Sequence, residues 1–251
     1  MRPRYQKAIE SLDAQTTYPL GSDRFRIDHG PDYFAFFDRL GSVHYFAALD
    51  RGQVVAVASA IIRRIPARAW YLCDLKVREG HRGRHIPLLM LKRTFFPNYF
   101  RCRRGYAISM DKPGEEENRV ARLLARFPWI PIVVGTRLEL YSLDAAAMRA
   151  SEPAIRKRRG PVSYLSLRGK KDIVLESTGA AMPLLHVQFG PCAERWVGEP
   201  RDGGVHMLCA PRGDELSADL QALGITPSAT MTVVCHRMSG WDWRFILTSD
   251  V

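Results

Sequence analysis

Residues 74–91 read DLKVREGHRGRHIPLLML. The run has three parts. Ala69 to Val77 has the length and apolar content of a strand. REGHRGRH is a basic loop with two glycines. Pro87 opens a helix, because its missing N–H would be unpaired at that position anyway. Backbone N–H groups at a helix start are unpaired, and with the helix dipole they attract an anion. Arg78, Arg82 and Arg84 add positive charge, so a pyrophosphate suits the loop. An ordinary connection with solvated arginines is the competing reading.

Upstream, DYFAFFDRL (Asp32 to Leu40) carries apolar residues on a helical face. Val43 to Leu49 and the nearly continuous apolar run Val54 to Ile62 read as strands, joined at Asp50-Arg51-Gly52 into a hairpin. Downstream, Tyr106 to Met110 is a strand. Asn118 to Phe127 is a helix with Val120, Leu123, Leu124 and Phe127 at helical spacing. Ile130 to Val134 and Arg137 to Leu143 read as two strands joined at Gly135-Thr136. Ser151 to Pro161, SEPAIRKRRGP, has the composition of an exposed linker. Beyond it, Tyr164 to Leu167, Asp172 to Glu176 and Leu184 to Phe189 suggest strands and Glu215 to Leu223 a helix. Thr230 to His236 and Trp243 to Thr248 suggest closing strands. The expected organisation is a first domain over 1–150, a linker over 151–160 and a smaller α+β domain over 161–251.

The 251 residues are 46% apolar and 25% charged, which excludes disorder, collagen and coiled coil as overall descriptions. No apolar run approaches the length of a membrane helix and the basic N-terminus has no apolar h-region, so a cytoplasmic protein without membrane contact is the expectation. Cysteines at 73, 102, 192, 209 and 235 form no C-x-x-C pair and read as reduced, packed thiols. Residues 1–160 hold 29 Lys and Arg against 16 Asp and Glu, whereas residues 161–251 hold 8 against 10. The first part is therefore the anion-binding part. Nucleic acid, anionic lipid and a phosphorylated small molecule all meet that charge requirement. No basic strand carries regularly spaced aromatics, which argues against nucleic acid.

The 74–91 run resembles the central motif of the GNAT acyltransferase superfamily. That motif is a strand ending in acidic-Leu-x-Val, then Arg/Gln-x-x-Gly-x-Gly/Ala, then a helix. Asp74, Leu75 and Val77 match the strand, and Arg82 matches the first loop position. Asn118-x-x-Ala121-x-x-Leu124 resembles the family's Asn-x-x-Ala-x-x-Leu-Tyr helix. The resemblance covers roughly residues 22–144 and implies a mixed-sheet α/β fold, with acyl transfer from acetyl-CoA or another acyl-CoA to a small-molecule or peptide amine. It assigns cofactor contacts to Leu75, Val77, Arg82, Gly83, Arg84, His85, Ile86, Leu88 and Asn118. Asp74 becomes the candidate base. The chain departs from the motif at His85 and Pro87, where the family has small residues, and at Ala125, where it has the tyrosine that serves as acid. Ser109, Asp111 and Tyr141 are the substitutes for that acid. A GNAT-fold binding module without catalysis and a basic nucleic-acid-binding protein are the alternatives, and residues 161–251 suit a cover for the acceptor site or a homodimer interface.

The remaining motifs carry less. Glu115-Glu116-Glu117 precedes a helix, where negative charge suits the dipole. His81 and His85 are four apart with no third ligand in view, so no metal is expected. There is neither a G-x-S-x-G elbow nor a P-loop.

Overall fold

Arg51 and Gly52 both have positive φ, at 48° and 82°, and Asp50 pairs with Gln53. Such a two-residue turn matches the twist of a hairpin, and it joins β3 (Ser42–Asp50) to β4 (Gln53–Arg63). These strands belong to a computed structural model that describes residues 2–251 apart from 65, 115–116, 128–129 and 195–197; of residues 2–4, 95 and 96 it describes the backbone. Before the hairpin lie α1 (Arg2–Asp13), β1 (Tyr18–Leu20), β2 (Asp23–Asp28) and α2 (Ala35–Asp38). The helix expected over Asp32 to Leu40 is thus a single turn. Its entry is fixed by Asp32, whose carboxylate accepts from the Phe34 amide at 3.0 Å.

After the hairpin come β5 (Ala69–Val77), α3 (Ile86–Tyr99), β6 (Gly105–Met110), α4 (Arg119–Ala125) and β7 (Val133–Leu143). Most of Ile130 to Leu143 is one strand instead of two. Gly135 is a bulge within it, for Val134 and Thr136 pair with the consecutive residues Val234 and Val233. A Cβ at Gly135 would lie 2.6 Å from the Trp243 ring, so only glycine lets the bulge close. The Glu115-Glu116 part of the acidic run lies outside the described residues.

The expected linker is a correction. Ser151 to Arg159 lies in α5 (Ala145–Arg159). Met148, Ser151 and Ile155 recur at helical spacing and are buried, and Asp144 caps the start by accepting from the Ala147 amide at 2.8 Å. The basic run is an internal ion-pair face. Arg158 meets Asp219 at 2.7 Å and Glu215 at 2.8 Å, and Arg159 meets Asp214 at 2.8 Å. Those carboxylates lie on or cap α6 (Glu215–Ala222). The other later elements are β8 (Ser163–Leu165), β9 (Asp172–Leu175), β10 (Leu184–Gln188), β11 (Val205–Pro211) and β12 (Ala229–His236). Trp243–Phe245 is a 3-10 turn instead of the closing strand expected there.

Among the described residues one sheet has the order β3-β4-β5-β6-β12-β7-β11-β10-β8, and a smaller one the order β1-β2-β9. Residues before and after α5 therefore share a sheet, and no boundary at 151–160 separates them. The order hides a repeat. β5 runs parallel to β6, and α4 and β7 follow. β10 runs parallel to β11, and α6 and β12 follow. Each half sends its last strand to the other: β12 pairs with β6, and β7 pairs with β11. Alternation along β6 and β12 sends Tyr106, Ile108, Val233 and Cys235 to the large core and Ala107 and Val234 to a small one beneath α4. Among the described residues no helix is long and apolar enough to cross a membrane.

Candidate active site

Cys73 pairs with Ser59 and Lys76 with Val57, so Asp74 and Leu75 together oppose the single residue Ala58. That is a β-bulge, and Asp74 takes the left-handed conformation at its centre, φ 58°. The parallel pairing of β5 with β6 covers only Trp70–Leu72 against Gly105–Ala107. The two strands part where β5 bulges. A cavity of about 350 Å³ occupies this gap. Pro87, Met90 and Leu91 of α3 line it from one side, and Phe36, Ile173 and His186 from the other.

The loop after β5 is braced by its own arginines. Arg78 donates to the Val54 carbonyl and Arg82 Nε to the Val77 carbonyl at 3.3 Å, so both arginines brace the loop. Arg82, Gly83, Arg84 and His85 are exposed. Among the described residues no hydrogen bond engages the amides of Gly83, Arg84 and His85. The Ile86 and Leu88 amides open α3, where intrahelical partners are lacking, while Pro87 offers none. Leu75 lines the cavity and Val77 ends the strand. His85 precedes α3 with φ 55° and no side-chain cap. It occupies the left-handed position that glycine would fill without strain. His85→Gly is therefore expected to raise stability by about 1 kcal/mol. Urea unfolding of the variant checks this, and a loss of stability would mean that the imidazole makes a contact of its own.

Asp74 does not face the cavity as a free carboxylate. Its side chain is 4% exposed. One oxygen accepts from Lys76 Nζ at 2.5 Å and the other from the Tyr33 hydroxyl. Lys76 also meets Asp13 of α1 at 2.6 Å, and Asp13 lies 3.7 Å from His29. Burial works against the Lys76 ammonium, yet Asp74 and Asp13 together hold its pKa above the ordinary value. Burial raises Asp13, and Lys76 offsets only part of that. Burial, reinforced by Lys76, brings His29 down to about 4, so its imidazole is neutral at pH 7. The geometry gives Asp74 a positioning part: it ties the bulge to α1 and to Tyr33.

Asn118 caps α4, its oxygen accepting from the Val120 and Ala121 amides at 2.9 and 3.1 Å. Its amide nitrogen donates to Asp111 at 2.7 Å and to the Met110 carbonyl. Both ends are thus spent on structure, and Asn118 does not line the cavity in the gap. Asp111 also accepts from Thr232 at 2.6 Å. Ser109 does line the cavity. Tyr141 is on β7, separated from β5 by β6 and β12, and does not line the cavity. Its hydroxyl is held by Glu139 at 2.9 Å and Ser217 at 3.1 Å, and burial pushes its pKa up to about 12. The structure therefore does not bring Tyr141 to Asp74. His81 pairs with Asp50 at 3.2 Å.

Asp13, Tyr33 and Lys171 reach the site without any signal in the sequence. Asp13 lies in a helix with a polar composition, and Lys171 sits in the turn-like stretch Gly169-Lys170-Lys171. Tyr33 falls inside the run read as a helix face.

No protein-family model matches the chain. An uncharacterised protein of Acanthamoeba polyphaga mimivirus is 21% identical over 232 residues, which cover 88% of this chain and 68% of that protein. Among solved structures, a candidate acetyltransferase from Pyrococcus horikoshii superposes with a TM-score of 0.57 at 10% identity, over 100% of this chain and 93% of that one. A tandem GNAT protein from the clavulanic acid biosynthesis pathway gives a TM-score of 0.51 at 12% identity, over 93% and 94% of the two chains. At such identities the likeness concerns shape. The chain has the fold of the GNAT N-acetyltransferases.

Proposed function

We propose that the chain transfers an acyl group from acyl-CoA to an amine borne by a small molecule or a peptide. The observation that carries this reading is the bulge at Asp74. It sits where β5 parts from β6, directly before a basic loop with unpaired amides, and α3, which that loop leads into, lines the cavity with Pro87, Met90 and Leu91. In this reading the CoA pyrophosphate lies on the 83–88 amides with Arg82 and Arg84 beside it. The pantetheine arm follows the gap, and the thioester reaches the cavity. The protein's part is then alignment, which is worth several kcal/mol for a bimolecular acyl transfer. An ammonium is no nucleophile, so the acceptor must lose a proton on binding.

Calorimetric titration with acetyl-CoA tests the cofactor site. Arg82→Ala with Arg84→Ala is expected to weaken binding by about 1–3 kcal/mol, the scale of charge-assisted hydrogen bonds. Unchanged affinity in the folded double variant would remove the loop from the site. A second reading, a CoA-binding module without catalysis, is favoured by the double engagement of Asp74. Thiol release from acetyl-CoA across a panel of amines separates the two: release faster than in buffer supports transfer, and binding without release supports the module.

A further inference from the structure

The cavity has a polar corner on the side opposite α3. Lys171 precedes β9, is buried, and donates from Nζ to the Thr248 carbonyl at 3.1 Å. Among the described residues it has no ion-pair partner, and its ammonium nitrogen lies 5.0 Å from the centroid of the Phe36 ring. Thr248 also ties in His186 of β10. The Thr248 hydroxyl donates to the Met207 carbonyl at 2.9 Å, so at 3.0 Å it accepts from His186 Nδ1. This assigns the neutral tautomer with the proton on Nδ1 and leaves Nε2 a bare acceptor. His186 is 1% exposed, and among the described residues Nε2 has no partner. Both residues line the cavity, and so do Phe25, Ile27, Phe36 and Ile173.

We propose that this corner is a binding subsite for a carboxamide, whose carbonyl accepts from Lys171 Nζ and whose N–H donates to His186 Nε2. A wholly apolar occupant would leave Nε2 dry and unpaired, which buried polar groups avoid. An anion would meet the Nε2 lone pair, and a cation would meet Lys171. A neutral group that accepts and donates at once satisfies both. The charge state agrees. Burial, with Arg39 beside it, brings Lys171 down to about 7, and burial takes His186 well below the imidazole range. The other groups facing Lys171 are Asp250, Cys209 and Cys73, and Asp250 is already committed to Arg63 at 2.9 Å. The aromatic and aliphatic walls add an apolar body to the ligand's description. That this ligand is the acyl acceptor rests on the acyl-transfer reading; the subsite itself does not.

Ligand-observed NMR titration of the full chain, without CoA, decides the matter with three probes: 3-phenylpropanamide, its N,N-dimethyl analogue and 3-phenylpropionate. The primary amide is expected to bind about tenfold tighter than the dimethyl amide, which lacks the N–H. Lys171→Met should weaken the primary amide by a similar factor. His186→Leu should abolish the preference between the two amides. Equal binding of both amides to the unaltered chain, tighter binding of the carboxylate, or silence of all three would overturn the subsite, whether or not the variants fold. Acetyl-CoA titrated into the same samples keeps the two readings apart. Amide preference without acetyl-CoA binding would sink acyl transfer and keep the subsite, and the converse would sink the subsite alone.

Discussion

Lys76→Met is expected to destabilise the protein by about 3–5 kcal/mol, the scale of breaking a buried ion network from its cationic side. Methionine matches the lysine stem in length, so packing survives. What is lost is the charge between Asp74 and Asp13, which lie 2.5 and 2.6 Å from Nζ. Two buried carboxylates would then face each other with no cation between them, Asp74 keeping only the Tyr33 hydroxyl. The pH dependence gives a second signature. The pKa of Asp13 is already raised by burial, and without Lys76 it rises further. A carboxyl with a raised folded pKa gives stability that is complete below its unfolded value and is lost as pH rises through the folded one. The variant should therefore regain part of its melting temperature between pH 7 and pH 5. The unaltered protein should lose stability over the same interval, because His29 is held near 4 and resists the proton that the unfolded chain takes up near 6.5. Urea unfolding at the two pH values measures both effects. A loss below about 1 kcal/mol, or a pH response like that of the unaltered protein, would mean that the network does not support the bulge.

Lys171→Met should act in the opposite direction and stabilise the protein by about 3 kcal/mol near pH 7. Burial lowers this amine from 10.5 to about 7. Each unit of such a shift is worth about 1.4 kcal/mol, against which stands the hydrogen bond to Thr248. The sign follows from proton counts. Between pH 7 and 10.5 the unfolded chain holds a proton at this lysine that the folded chain lacks, so the lysine's cost to the unaltered protein falls with rising pH across that window. The variant lacks this contribution, so its advantage over the unaltered protein should shrink as pH rises, while the buried thiols, whose pKa values burial raises, weigh on both alike. Denaturant midpoints from pH 7 to pH 10 test this. A destabilised variant, or an advantage that does not shrink with pH, would show that Lys171 is charged and paired in the folded protein.

Local chemistry in the sequence reached far into the first half. β5 begins and ends where its apolar run does, the β3–β4 hairpin follows its Arg51-Gly52 turn, and Asn118 caps α4. The passage from β5 into α3 was legible because a strand, a basic loop and Pro87 are consecutive. Long-range partners left no such trace. Thr230 to His236 reads as a strand, yet nothing in those residues says that it lies between β6 and β7. Asp74 is readable as a carboxylate at a strand end, but its engagement depends on Tyr33 and on a lysine shared with Asp13. The Ser151 to Arg159 run looked like a linker because Pro153 and four basic residues outweigh its two buried positions, Ser151 and Ile155. Its arginines make sense only beside the carboxylates of α6, some sixty residues on.

The exchange of β7 and β12 has a consequence for synthesis on the ribosome. Until residues 229–236 have left the exit tunnel, β6 has no neighbour on its far side and β7 has none on the side that β12 will occupy. Two strand edges, one ending in the exposed pair Val133 and Val134, stay open for the time it takes to translate about a hundred residues. At ~5–20 residues per second that is several seconds or more. Open edges of this kind are templates for intermolecular pairing. The nascent chain is thus exposed to aggregation over that interval, until β12 closes both edges.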